Sequence, residues 1–392
     1  MDFRFTKEEE AFRRELRELI RTELPPDWPG TDAYGRTDDV AVERHMRRKL
    51  IERGWLTMSW PREYGGQDAS HVRQSIYAEE MMYHEAPGRD SAGVGLLAPA
   101  LMFHGTEEQR KQHLPPIARG EVNWAQGFSE PEAGSDLASL QTRAVADGDD
   151  YVMNGQKIWS SSAHMADWIF VLARTDPDAP KHKGITYFLV DMKTPGITVK
   201  PIVNMVGDHH FNEEFFDNVR VPKTNIVGEV NRGWYVAMTT LNFEREGITY
   251  TTRAQRPLDE LIPYVRETKR NGVPLARDLL VRHKLAEMVL ETEVSRLLAY
   301  RMAWLVDHGE IPQHESSITK LFSTELLVRV ANVGMQILGL GGQLVEGDRW
   351  APLKGRFRRM YLWSVSEPIG GGTSEIQRNI IATRGLGLPR GA

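Results

Sequence analysis

The sequence predicts an α+β multidomain protein with three consecutive parts: helical, β-rich, then helical again. Three observations carry this. Apolar residues recur at helical spacing through the first 120 residues. Short β-rich runs punctuated by Gly, Pro, Asp and Asn fill 121–228. Long amphipathic stretches return from 229 onward. The expected domains are 1–120, 121–228 and 229–392. A chain of 392 residues can bury large cores and divide in this way.

In the first part, Thr6 and Glu9 form a capping-box pattern, with Phe5 placed to staple it. Phe12, Leu16, Leu19 and Ile20 follow at helical intervals, and Pro25-Pro26 stops the helix. Further helices are expected at 40–53, 71–86, 91–103 and 107–119, with Trp60-Pro61-Arg62-Glu63-Tyr64-Gly65-Gly66 as a turn between two of them. The β runs are 151–157, 168–173, 185–190, 197–203 and 211–221. Helical stretches at 229–270, 275–308 and 314–340 precede a Gly-rich break at 339–342, and a last helix starts near Thr373. Long helices with short connections predict a bundle.

Composition narrows the function classes. The net charge is −5 and 26% of residues are charged, so the surface is mixed and has no nucleic-acid footprint. The cluster Lys354, Arg356, Arg358 and Arg359 reads as a solvated face or an interface. Cysteine is absent, which removes disulfides, thiolate metal sites and cysteine nucleophiles. The histidines, His209, His210 and His283 among them, show no metal-ligand spacing, and no metal is expected. Met1-Asp2-Phe3-Arg4 opens a charged helix without a signal peptide's apolar core, and the longest apolar run, 168–173, is too short to span a bilayer. A cytoplasmic protein that does not engage membranes is expected.

Two motifs point to chemistry. Residues 126–136, Gln126-Gly127-Phe128-Ser129-Glu130-Pro131-Glu132-Ala133-Gly134-Ser135-Asp136, read as a loop of small residues, hydroxyls and free amides. Lys157-Ile158-Trp159-Ser160-Ser161 sets a large aromatic beside two hydroxyls at the end of a strand-like run. A flat, hydrogen-bonding cofactor needs both a ring to lean on and donors at its polar edge. Alone, the loop reads as an ordinary turn and Trp159 as a core aromatic. Together they resemble the flavin-binding signature of the acyl-CoA dehydrogenases, and the resemblance extends over essentially the whole chain. A third segment, Gly370-Gly371-Gly372-Thr373-Ser374-Glu375-Ile376-Gln377-Arg378, resembles that family's C-terminal Tyr-Glu-Gly-Thr-Ser-x-Ile-Gln-Arg motif.

The resemblance implies helices, a β-barrel-like middle domain and a C-terminal four-helix bundle, with FAD as cofactor. It implies α,β-dehydrogenation of an acyl-CoA to a trans-2-enoyl-CoA, as in lipid β-oxidation, with electrons passed to an electron-transfer flavoprotein. A homodimer or homotetramer follows from it, or a heterotetramer as in some bacterial steroid side-chain dehydrogenases. It assigns Gln126, Gly127, Phe128, Ser129, Ser135, Trp159, Ser160, Ser161, Thr373 and Glu375 to the cofactor. Ser160 stands for the usual Ile and Ser161 for the usual Thr. Gln336, Gly339 and Leu340 lie in a segment similar to one that reaches the flavin of a neighbouring subunit, although a helix C-cap explains its glycines equally well. Arg270 stands at the pyrophosphate position, with Arg266, Lys269 and Arg277 as alternatives; the Phe-Gly that should follow is missing.

Many members place the catalytic Glu where this chain has Gly371, and glycine cannot accept a proton. One branch, typified by isovaleryl-CoA dehydrogenase, moves the base to an early C-terminal-domain helix, just before an Arg. This chain reads Leu241-Asn242-Phe243-Glu244-Arg245 there. Glu244 is therefore the expected base, its plainer reading being a helix-surface ion pair with Arg245. Glu246, two residues on, points about 200° away round a helix. Ser135, Asn242, Phe243, Arg245, Gly371 and Gly372 are assigned to the substrate. Three small residues at 370–372 suit a branched, cyclic or otherwise bulky acyl group. The competing classes are a flavin oxidase or monooxygenase on the same scaffold, a non-catalytic subunit of a heteromeric complex, and a structural helical protein.

Overall fold

In the computed structural model, which describes residues 4–31, 37, 39–243 and 247–389, the chain forms two compact units. One comprises Met1–Met46, Ala69–Gly88 and Arg245–Ala392; the other comprises Arg47–Asp68 and Arg89–Glu244. Each is described by itself.

The helices that open the chain are α1 (Lys7–Glu23), α2 (Val40–Glu52), α3 (His71–Tyr83), α4 (Ala98–His104) and α5 (Glu107–Ala118). A π-helical turn at Ser91–Leu97 leads into α4. The Thr6–Glu9 capping box forms in both directions. Phe5, however, does not staple α1. The residue it would meet is Glu10, so its ring packs edge-on against Tyr300 at 5.1 Å, with Arg13 over its face.

The second unit is built on an eight-stranded sheet: β1 (Trp124–Gly127), β2 (Arg143–Asp147), β3 (Asp150–Ser161), β4 (Trp168–Arg174), β5 (Ile185–Asp191), β6 (Ile197–Val203), β7 (His209–Pro222) and β8 (Ile226–Val227). The order is β6-β7-β3-β2-β4-β5-β8, with β1 parallel to β4. The runs Ile169–Ala173 and Ile185–Val190 are buried at every position, which is why β4 and β5 read as continuous apolar segments. β7 alternates instead: His210, Asn212, Glu214 and Phe216 face inward. α6 (Gly233–Phe243) packs on β5 and α4. β1 was expected as loop. It pairs in register with β4, Gln126 opposite Phe170 and Gly127 opposite Val171, so the signature begins inside the sheet.

The first unit centres on α7 (Gly247–Glu267), α8 (Leu279–Asp307) and α9 (Glu315–Leu338), which pack on one another. Ala254, Leu258, Leu261, Leu285, Met288, Leu327 and Val330 lie in their shared core. α10 (Arg356–Trp363) and α11 (Ser374–Ile380) pack on α9, and α3 packs on α1, α7 and α8. The span Glu315–Gln343 is long and apolar enough to cross a membrane, but half of its most apolar window is buried in the protein. Within the helical span expected over 229–270, α6 is described up to Phe243 and α7 from Gly247, and the end of that span is not helix: Lys269–Arg270 (β9) pairs with Val273–Pro274 (β10) in a short hairpin. Arg356 in the basic cluster is not solvated; it pairs with Glu85 and with Glu260.

Candidate active site

β3 and β7 lose register between Ile158 and Ser160, and Trp159 is the extra residue at that bulge. Its φ is +68°, a conformation that bulky residues rarely take. The indole is consequently lifted out of the sheet and 56% exposed, touching Phe211 edge-on at 6.0 Å. On either side the chain turns inward and outward in alternation. Ser160 is buried while Ser161 is exposed, its hydroxyl 3.1 Å from His210 Nε2. The Ser160 hydroxyl was expected at the cofactor. It instead donates to Glu214 Oε2 at 2.6 Å, and Asn212 Nδ2 donates to its carbonyl at 3.0 Å.

Beneath the bulge lies a buried polar network that the sequence reading assigned no role. Lys157 Nζ donates to the Phe128 carbonyl at 3.1 Å and to Glu130 Oε1 at 2.7 Å. Glu130 also accepts from the N–H groups of Gln141 and Thr142 at 2.6 and 2.8 Å. The lysine therefore ties the 126–130 segment to β3. Burial pulls the Lys157 ammonium down to about 8, with Glu130 opposing. Burial pushes the Glu214 carboxyl up to about 8, with the Ser160 hydroxyl opposing; its Oε1 has no partner among the described residues. Charged residues at inward positions of a strand, Lys157 on β3 and Glu214 on β7, were the available signal.

The Phe128 ring is core, edge-on to Phe170 and Tyr187, so only its backbone is left for a ligand. Ser135 is exposed, and the Gln126 side-chain nitrogen is buried without a partner.

In the other unit the C-terminal motif forms a turn and a helix start. Gly371 has φ +63° and Gly372 φ +87°. A Cβ at Gly371 would meet nothing within 4 Å. The Gly371 and Gly372 carbonyls accept from Gln377 Nε2, each at 3.1 Å, and Lys320 Nζ reaches the Gly372 carbonyl at 2.9 Å. The N–H groups of Gly371, Gly372 and Thr373 have no acceptor among the described residues. Thr373 caps α11 by accepting from Ile376 N, and Glu375 is exposed in its first turn.

At the far end of α9, Gly339 turns the chain with φ +62° and Leu340 is 85% exposed. The 269–274 hairpin carries Arg270 to this corner, where its guanidinium donates to the Ile337 carbonyl at 3.1 Å. Gln336, also exposed, accepts from Lys284. Arg270, Gln336, Gly339 and Leu340 thus share one corner. The side chains of Asn242 and Phe243, and residues Glu244, Arg245 and Glu246, lie outside the described structure.

The chain matches three family profiles in order: acyl-CoA dehydrogenase N-terminal domain over residues 6–121, middle domain over 125–219 and C-terminal domain over 231–386. It belongs to the acyl-CoA dehydrogenase family. The acyl-CoA dehydrogenase IpdE1 of Mycobacterium tuberculosis is 36% identical over 393 residues, 98% of each chain. FadE26 of the same organism is 36% identical, covering 100% of this chain and 99% of its own. Among solved structures, the Tcur3481-Tcur3483 steroid ACAD is 35% identical with a TM-score of 0.91, and the ChsE4-ChsE5 complex from Mycobacterium tuberculosis is 35% identical with 0.90; both comparisons cover all of each chain.

This acyl-CoA dehydrogenase is therefore an oxidoreductase with FAD as cofactor, of the family that dehydrogenates acyl-CoA. The residues fit that cofactor. An exposed indole offers a face for a planar ring, and the Gln126 side-chain nitrogen, buried with no partner among the described residues, offers a donor.

Proposed function

We propose that the enzyme removes a proton from Cα and a hydride from Cβ of a bulky acyl-CoA, giving the trans-2-enoyl-CoA. FAD, when bound, accepts the hydride. Glu244 takes the α-proton as general base, since Gly371 stands where many relatives carry the carboxylate. The backbone N–H groups of the glycine turn receive the thioester oxygen as negative charge develops there. Trp159 flanks the isoalloxazine, with Ser161, Ser135 and the 126–129 backbone at its polar edges. Arg270, Gln336, Gly339 and Leu340 hold the nucleotide end, as do Thr373 and Glu375. The observation that carries this reading is the glycine turn: consecutive N–H donors without acceptors, in an enzyme whose cofactor oxidises carbon.

The substrate we favour is branched or ring-bearing. The steroid ACAD among the similar structures supports this, as does the open space at Gly371. An electron-transfer flavoprotein is the proposed acceptor, and cytoplasmic residence is proposed with it. The ChsE4-ChsE5 complex favours a heterotetramer over a homotetramer or dimer.

Glu244→Gln tests the base. The variant should stay yellow and bind acyl-CoA but lose anaerobic flavin bleaching; retained bleaching would move the base elsewhere. Similarity to the prolyl acyl carrier protein oxidase AnaB, 26% identical with a TM-score of 0.83, favours one second reading, an oxidase. Rapid reoxidation of the substrate-reduced enzyme in air would establish it.

A further inference from the structure

The segment Pro368 to Gly372 contains three consecutive glycines, and glycine has more backbone freedom to lose than any other residue. A donor site built there needs something to fix it. Lys320, on α9 and only 2% exposed, reaches across the loop: Nζ donates to the Glu367 carbonyl at 3.1 Å and to the Gly372 carbonyl at 2.9 Å. One ammonium therefore joins the residue before the loop to its last glycine. Gln377 Nε2 holds the Gly371 and Gly372 carbonyls from the other side. Peptide units are planar, so a fixed carbonyl also fixes the N–H of the following residue. With the Gly371 and Gly372 carbonyls held, the N–H directions of Gly372 and Thr373 are set. Closure at Glu367 anchors the peptides leading into Gly371.

The lysine's burial is compensated locally. Glu367 is buried and pairs through its carboxylate with Arg253 of α7 at 3.1 Å. Burial raises the Glu367 carboxyl, and Arg253 and Lys320 pull it back. A buried lysine is costly unless its donors are used, and here the Glu367 and Gly372 carbonyls both accept from it.

We propose that Lys320 is a positioning residue for thioester activation: it closes the glycine loop so that the N–H groups of Gly372 and Thr373 are held ready for the substrate oxygen. The proposal rests on the reading that this turn receives the thioester. It assigns Lys320 no contact with substrate or cofactor.

The experiment uses FAD-loaded enzyme and cinnamoyl-CoA, whose absorbance moves to longer wavelength when its thioester carbonyl is polarised by hydrogen bonds. Wild type should show this red shift. Lys320→Met should keep its FAD, melting temperature and acyl-CoA affinity, yet lose most of the shift. Its kcat should fall roughly tenfold or more with KM little changed, and Lys320→Arg should recover part of both. No red shift in wild type would remove the thioester reading and this proposal together. A wild-type shift that Lys320→Met retains in full, with kcat unchanged, would overturn the proposal and leave the thioester reading standing. Should Lys320→Met fail to fold, Gln377→Met removes the opposite clamp. Loss of part of the shift there supports the proposal, and a full shift overturns it.

Discussion

Trp159 sits at φ +68° on a bulge, and a non-glycine residue held there costs roughly 1–3 kcal/mol. Such strain persists only where the surrounding structure over-determines it, here the β3–β7 bulge. Trp159→Gly should leave the apoprotein no less stable in thermal melts, while FAD affinity, read by flavin fluorescence, should fall roughly tenfold or more. Beneath it, Glu214 holds a proton up to about pH 8, against an ordinary value of 4.5. Between these values the unfolded chain is ionised there and the native state is not. The stability Glu214 contributes is thus complete below about 4.5 and lost as pH rises to about 8, by at most about 1.4 kcal/mol per unit. Lys157, lowered from 10.5 to about 8, has the opposite sign and acts above 8. Glu214→Gln should therefore flatten the decline in urea-unfolding stability between pH 5 and 8. Trp159 stood out in the sequence because its neighbours form a motif, and the structure exposes its ring. The sequence only hinted at the lysine–carboxylate network: a charge at an inward strand position was visible in each of Lys157 and Glu214, but their pairing across β3 and β7 is long-range.

Elements read from periodicity came through where the period was long. α1, α3, α8 and α9 stand close to their expected spans; α1 declares an apolar face over several turns, whereas α8 and α9 are legible by their length rather than by one apolar face. Several short strands came through as well, β4, β5 and β6 standing within a residue of their expected spans, but β1 did not. β1 is four residues set against a buried strand, and its Gly and Gln carry little β signal. The 269–274 hairpin was readable in principle: Asn271-Gly272 adopts positive φ at both positions, the usual two-residue hairpin turn. Where α9 meets α10, a Cβ at Gly334 would fall 1.9 Å from the Phe357 ring. Gly334→Ala should lower stability by about 1–3 kcal/mol in denaturant melts; an unchanged midpoint would mean that α10 can shift freely.

At the scale of the whole molecule, helical, β-rich and helical parts follow one another in sequence, but compactness does not follow that order. α1 and α3 belong to the unit that holds α7 to α9. A buried cluster joins them: Arg13 donates to Glu79 at 2.7 Å and to Tyr300 at 2.9 Å, and Tyr300 donates to Glu79 at 2.6 Å. Long-range pairings of this kind, 66 to 287 residues apart, leave no trace in local pattern. FAD should act on the entire fold as a ligand of the native state. Stripping it should lower the melting temperature, and restoring it at one hundred times its dissociation constant should return about 2.7 kcal/mol. The glycine turn has a consequence for the chain's history as well. Position 371 is held in the left-handed region. Putting a glutamate back would meet open space but an unfavourable backbone, at roughly 1–2 kcal/mol. On the proposed reading, with Glu244 as base, a carboxylate returned to 371 would carry that backbone cost with it, so moving the base back takes more than one favourable substitution.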